Sequence, residues 1–206
     1  MSVNLAAWHG AWRALGLAGG DAGLFHRLVA AWSEPQRHYH TLQHLRECLD
    51  LFDGARDLAN HPGEIELALW FHDAVYDVQA HDNEARSADW ARASILQAGG
   101  GAAAADRVHA LVMATAHHAP VADADTQLLV DVDLAILGAA PARFDEYEAQ
   151  VRAEYAHVPD AAFRSGRRRI LQGFAGRPRL YGTAYFQERC EAAARANLQR
   201  ALRRLD

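Results

Sequence analysis

The sequence predicts an all-α fold, on three observations. Apolar residues recur at helical spacing, strand-like alternation bounded by turns is nowhere convincing, and loop-forming residues divide the chain into lengths typical of helices. Leu42, Leu45, Leu49 and Phe52 form one such stripe, and Leu111, Val112 and Thr115 another. Breaks fall at Ala18-Gly19-Gly20, Ser33-Glu34-Pro35, His61-Pro62-Gly63, Gly99-Gly100-Gly101, Ala119-Pro120, Gly138 to Pro141, Val158-Pro159 and Gly176 to Pro178. They leave about nine or ten helices of ordinary length. Asp21, Thr41, Asp82, Asp123 and Asp160 are placed to cap helix N-termini, where a side-chain oxygen accepts from otherwise unpaired N–H groups. Gly99 to Ala105 is the one low-complexity stretch and is expected as a loop before the helix carrying His109. No repeat or linker divides the chain, so a single domain over residues 1–206 is expected.

At 206 residues, half of them hydrophobic, the chain is long enough for one sizeable core. No apolar run approaches the roughly 20 residues needed to span a bilayer. Met1 to Gly20 lacks a basic region followed by an apolar core, so no secretory signal is expected. Cys48 and Cys190 form no framework or CxxC motif; both are read as small buried hydrophobes, and the reducing cytoplasm is the expected compartment. All 21 basic residues are arginines. Residues 1–150 hold 9 Arg against 21 acids, whereas residues 151–206 hold 12 Arg against 5. An acidic body suits cation binding. The Arg-rich helical part, 141–206, can meet phosphate or simply be solvated. Nucleic acid is disfavoured as a partner, because the chain as a whole is acidic and shows no recognition motif. Trp8 and Trp12 on the first helix leave two options, packing in a homo-oligomer or on the core; Phe25, Trp32 and Trp90 read as core.

Against this background four polar residues stand out. The doublet His72-Asp73 interrupts the apolar run Leu67-Ala68-Leu69-Trp70-Phe71, and Asp133 lies in a second, Leu128 to Leu137. Burying an unpaired carboxylate costs several kcal/mol, so such aspartates are paired, protonated or bound to a cation. His40 and His44 lie four apart and share a face if both are helical. With Thr41 as N-cap His40 falls outside the helix, which makes His44 the better ligand and leaves His40 for substrate contact. Asp131 and Asp133, two apart, point to nearly opposite sides of a helix, so one binds while the other bonds locally. Two imidazoles and two carboxylates suit Zn, Mn, Fe, Co or Ni better than Ca.

In order and spacing, His44, His72-Asp73 and Asp133 resemble the H…HD…D signature of the HD-domain superfamily of metal-dependent phosphohydrolases. The wider text is similar to its predicted phosphohydrolase branch, in five blocks: Arg37-His38-Tyr39-His40-Thr41-Leu42-Gln43-His44; Trp70-Phe71-His72-Asp73-Ala74-Val75-Tyr76-Asp77; Asp82-Asn83-Glu84-Ala85-Arg86-Ser87-Ala88; Ala114-Thr115-Ala116-His117-His118; and Asp131-Val132-Asp133-Leu134-Ala135-Ile136-Leu137-Gly138. The resemblance implies an HD-like helical fold with a metal-binding core at about 37–138. It favours Asp133 over Asp131 and admits Mg among the divalent ions.

It also implies hydrolysis of a phosphate ester or anhydride, of a nucleotide in the leading reading, by metal-activated water. The alternative is a non-catalytic metal- or nucleotide-binding regulatory module. Some relatives carry a Glu-Asp couple after the doublet; here it is Tyr76-Asp77, so the first carboxylate is missing. Asp77, read as one helical turn beyond Asp73, and Glu84, on the next helix, are the candidate proton-handling groups. Arg37, His40 and His118 are the candidate substrate contacts, His118 by the family pattern. Of Arg167-Arg168-Arg169, one is expected to point inward.

Overall fold

The structure is a computed structural model that describes residues 3–18, 20–117 and 122–205. Among these residues there are ten α-helices, two short 3₁₀ turns and no strand. The helices are α1 (Leu5–Ala14), α2 (Ala22–Ala31), α3 (Leu42–Ala55), α4 (Pro62–Phe71), α5 (Asn83–Gln97), α6 (Ala102–Ala114), α7 (Ala124–Leu134), α8 (Pro141–Glu154), α9 (Asp160–Ala175) and α10 (Ala184–Leu205). The all-α expectation therefore holds.

Helix α4 is the axis of the fold. Every residue from Gly63 to Phe71 is buried, as its uninterrupted apolar pattern requires, and α1, α3, α5, α6 and α7 pack around it. Two glutamates lie within this buried helix, and each is neutralised from a neighbouring segment. Arg107 of α6 grips Glu64 with two bonds, 2.8 and 2.6 Å, and Arg56 pairs with Glu66. Either glutamate left without its arginine would cost several kcal/mol. Trp8 and Trp12 are fully buried, Trp8 edge-on to both Trp12 and Trp70, so α1 turns its aromatic face to the core and not to a second copy.

Three of the five expected caps form: Asp21 accepts from Gly23 and Leu24, Thr41 from Gln43, and Asp123 from Thr126. Asp82 precedes α5 without a side-chain cap, and Asp160 is already the first residue of α9, behind Pro159. Of the expected loop at 99–105, only the glycines stay non-helical; α6 starts at Ala102, consistent with the high helix propensity of its alanines. The C-terminal arginines mostly tie helix to helix. Arg200 and Arg204 both bond Asp145 of α8, Arg195 reaches the carbonyls of Ala175 and Arg177, and Arg164 and Arg168 hold the Leu205 carbonyl. No helix among the described residues is long and apolar enough to cross a membrane.

Candidate metal centre

The doublet sits differently from the expectation of two adjacent helical residues. Helix α4 ends at Phe71, His72 is its C-cap, and Asp73 lies in the turn that follows, closed by Ala74 N–H donating to the Phe71 carbonyl. Arg37 stabilises that exit. Its buried guanidinium donates to the carbonyls of Asp73 (2.6 Å), Ala74 (3.0 Å) and His40 (3.3 Å), and to Glu34 (2.9 Å). Against the expectation of a phosphate contact, its guanidinium is engaged by three backbone carbonyls and the Glu34 carboxylate, and it holds the doublet in place.

With the turn fixed, His44 from α3, His72 and Asp73 from the end of α4, and Asp133 from α7 converge. His72 Nε2 lies 3.1 Å from His44 Nε2, 3.1 Å from Asp73 Oδ2 and 3.6 Å from Asp133 Oδ1. His44 Nε2 lies 3.1 Å from Asp133 Oδ1 and 3.8 Å from Asp73 Oδ2. His72 Nδ1 is 2.8 Å from the Leu69 carbonyl, which can only accept, so Nδ1 carries a proton and Nε2 is the nitrogen that faces the cluster. Two imidazole nitrogens and two carboxylates thus crowd one small volume. That is repulsive unless positive charge sits among them.

The electrostatics point the same way. Burial opposes protonation of His72, yet the carboxylates of Asp73 and Asp133 push its pKa well above the usual value. Burial likewise works against an ionised Asp73, but His72 holds its carboxyl far below the carboxylate range. Donor atoms about 2.0–2.3 Å from a shared ion lie roughly 3–3.7 Å apart, so the observed spacings fit a coordination shell.

One donor was missed. Cys48 lies one turn after His44 on α3, its Sγ 3.6 Å from His44 Nδ1 and 3.8 Å from Nε2. Donor atoms of His44, Cys48, His72 and Asp133 all lie within 4.8 Å of one another, a buried His/Cys/His/Asp cluster able to hold a metal ion. Burial pushes the free thiol's pKa well up, aided by Asp133 and Asp73. The i, i+4 spacing from His44 was the available signal. Asp131, by contrast, is engaged elsewhere, and across the fold rather than locally as expected: its carboxylate accepts from the Gly182 and Thr183 N–H groups, both at 2.7 Å, and from the Thr183 hydroxyl at 2.6 Å, just ahead of α10.

Asp73 and Asp133 line a cavity of about 380 Å³ together with His40, Glu84, His117 and Arg167. Asp77 is not on a helix with Asp73, because α4 has already ended. It is exposed, accepts from the Gln79 N–H, takes Asn83 across its backbone, and borders a different hollow. His118 lies outside the described residues. Of the arginine run, Arg167 is buried and paired with Glu148, its guanidinium 5.0 Å over the Tyr147 ring; Arg169 is exposed.

A second feature absent from the sequence reading is Glu154, at the end of α8. Its Oε1 accepts from the backbone N–H groups of His38, Tyr39 and His40, and its Oε2 is 2.8 Å from His40 Nδ1 and 3.0 Å from the Tyr76 hydroxyl. Burial acts to raise this carboxyl, but the bonds from His40 and its neighbours dominate and hold it down at about 2. His40 is therefore fixed, stacked on Tyr76 with ring centroids 4.0 Å apart, and Nε2 is the ring nitrogen left for a ligand. The Tyr39 hydroxyl is buried with no hydrogen-bond partner among the described residues. Comparison with known protein families, with characterised proteins and with solved structures finds no match to this chain.

Proposed function

We propose that this chain is a metal-dependent phosphohydrolase of the HD type, cleaving a phosphate ester or anhydride, in the first instance of a nucleotide. The observation that carries the reading is the convergence of potential ligand atoms of His44, His72, Asp73 and Asp133 on one buried point at the wall of a cavity. A divalent ion bound there would lower the pKa of a water and neutralise charge on a phosphate oxygen.

The rest of the chemistry falls to the side chains around the cavity. Glu84, which lines the cavity where Asp77 does not, would take a proton from the attacking water. His40, oriented by Glu154, offers Nε2 as the acid for the leaving oxygen. Arg167 and His117 supply donors to the phosphate oxygens from the far side. In balance, the water oxygen bonds to phosphorus, the ester P–O bond breaks, and the water's two hydrogens end on phosphate and leaving group.

The test is metal content of the protein as purified, followed by turnover on a panel of phosphate esters with Mn, Fe, Zn, Co, Ni and Mg. Metal-dependent release of phosphate, lost in Asp73→Ala, supports the reading. Tight nucleotide binding without turnover would replace it with the regulatory module.

A further inference from the structure

A second, apolar cavity of about 380 Å³ opens beside the metal cavity. Tyr39, His40, Tyr76, Tyr147, Tyr155 and Arg167 line both spaces, so they are contiguous. Beyond those residues and Ile170, which also lines both, the second space is lined by Val151, Val158 and Phe163. Its volume falls within the roughly 300–1,000 Å³ of small-molecule sites. Aromatic walls of this kind favour a planar partner that can stack or meet a ring edge.

Three observations give the space a direction. His40 stands at the junction, its Nδ1 held by Glu154. Tyr39, whose ring meets those of His40 and Tyr147, lines the same boundary. Gly166 lies on the wall from α9, and a Cβ placed there meets nothing within 4 Å.

Building on the phosphohydrolase reading, we propose that this cavity holds the organic part of the substrate, a planar aromatic group joined to the phosphate at the metal cavity, directly through the ester oxygen in an aryl phosphate and through the sugar in a nucleotide. The ester oxygen then falls at the junction of the two cavities, beside His40. The aromatic group is a nucleobase or a simple aryl ring, both of which offer the same flat face.

The test separates this subsite from the reaction. Binding of phenylphosphonate and of methylphosphonate, neither of which has a cleavable ester, is measured by calorimetry on the metal-loaded full chain. Phenylphosphonate is expected to bind about tenfold tighter or better, because its ring is removed from water. Gly166→Leu, which fills the open space, is expected to abolish that preference, and Phe163→Ala to weaken it. Equal binding of the two phosphonates, or a preference that survives Gly166→Leu in a variant with wild-type melting, overturns the proposal. Hydrolysis of aryl phosphates against a nucleoside monophosphate then tells the two aromatic sources apart. A subsite that binds in a protein that never turns over leaves the subsite standing and removes the hydrolase. Turnover without aromatic preference does the reverse.

Discussion

His44 Nε2 and His72 Nε2 stand 3.1 Å apart, with His72 Nδ1 turned away to the Leu69 carbonyl. Two imidazoles and two carboxylates held in this way are stabilised by a cation. Adding Co(II) or Zn(II) at about 100 times the dissociation constant is expected to stabilise the fold by about 2.7 kcal/mol. Thermal melting checks this, and His72→Ala is expected to abolish the shift. In the cobalt-loaded protein, Cys48 as a donor gives a sulfur-to-cobalt charge-transfer band. That band should vanish in Cys48→Ser while the visible cobalt bands persist; a cobalt spectrum indifferent to Cys48 would remove it from the donor set.

Asp131 and Asp133 are two residues apart and have separate roles. Asp131→Ala takes three hydrogen bonds from the segment entering α10 and is expected to cost about 1–3 kcal/mol in urea unfolding, with metal stoichiometry unchanged. Asp133→Ala is expected to do the opposite, abolishing or sharply weakening metal binding while leaving the metal-free protein about as stable as before. Exchange of the two phenotypes would reverse the assignment.

Arg37 is expected to act through the doublet it holds and not through phosphate. Arg37→Met leaves the carbonyls of Asp73 and Ala74 without their donor and should destabilise the fold by about 2–4 kcal/mol. Metal affinity should fall with it, because Asp73 loses its anchor. Arg37→Lys should not rescue either property, since a single ammonium cannot reach four acceptors in a plane. Full rescue by lysine would contradict the structural role.

Glu154 links stability to acid. Its folded-state pKa of about 2 lies below the unfolded value near 4.5, so its contribution is complete above about pH 4.5 and is lost as pH falls toward 2. The shift corresponds to a contribution on the order of 3 kcal/mol. Urea midpoints measured from pH 6 down to pH 3 should decline less steeply in Glu154→Gln than in the wild type. The same variant frees His40 and should alter the pH profile of any turnover.

Periodicity and punctuation made the helices legible, because helix formation depends on nearby residues and on one buried face. The polar interruptions at His44, His72-Asp73 and Asp133 were legible for the same reason: charge inside an apolar run is anomalous whatever surrounds it. Cys48 was visible only as an i, i+4 neighbour of His44, a spacing that buried cysteines also show by chance. Glu154 could not be read at all, since it lies 114 positions from the imidazole it orients.

By itself, then, the sequence determined the helices and the residues that cannot sit comfortably in an apolar core. Tertiary structure decided what those residues meet. It ended α4 at Phe71 so that Asp73 turns toward His44 while Asp77 turns away, and it gave Arg37 to the backbone and Arg167 to the cavity. The physical reason is range: a helix is fixed by contacts three and four residues apart, whereas a site is fixed by which distant helices pack side by side.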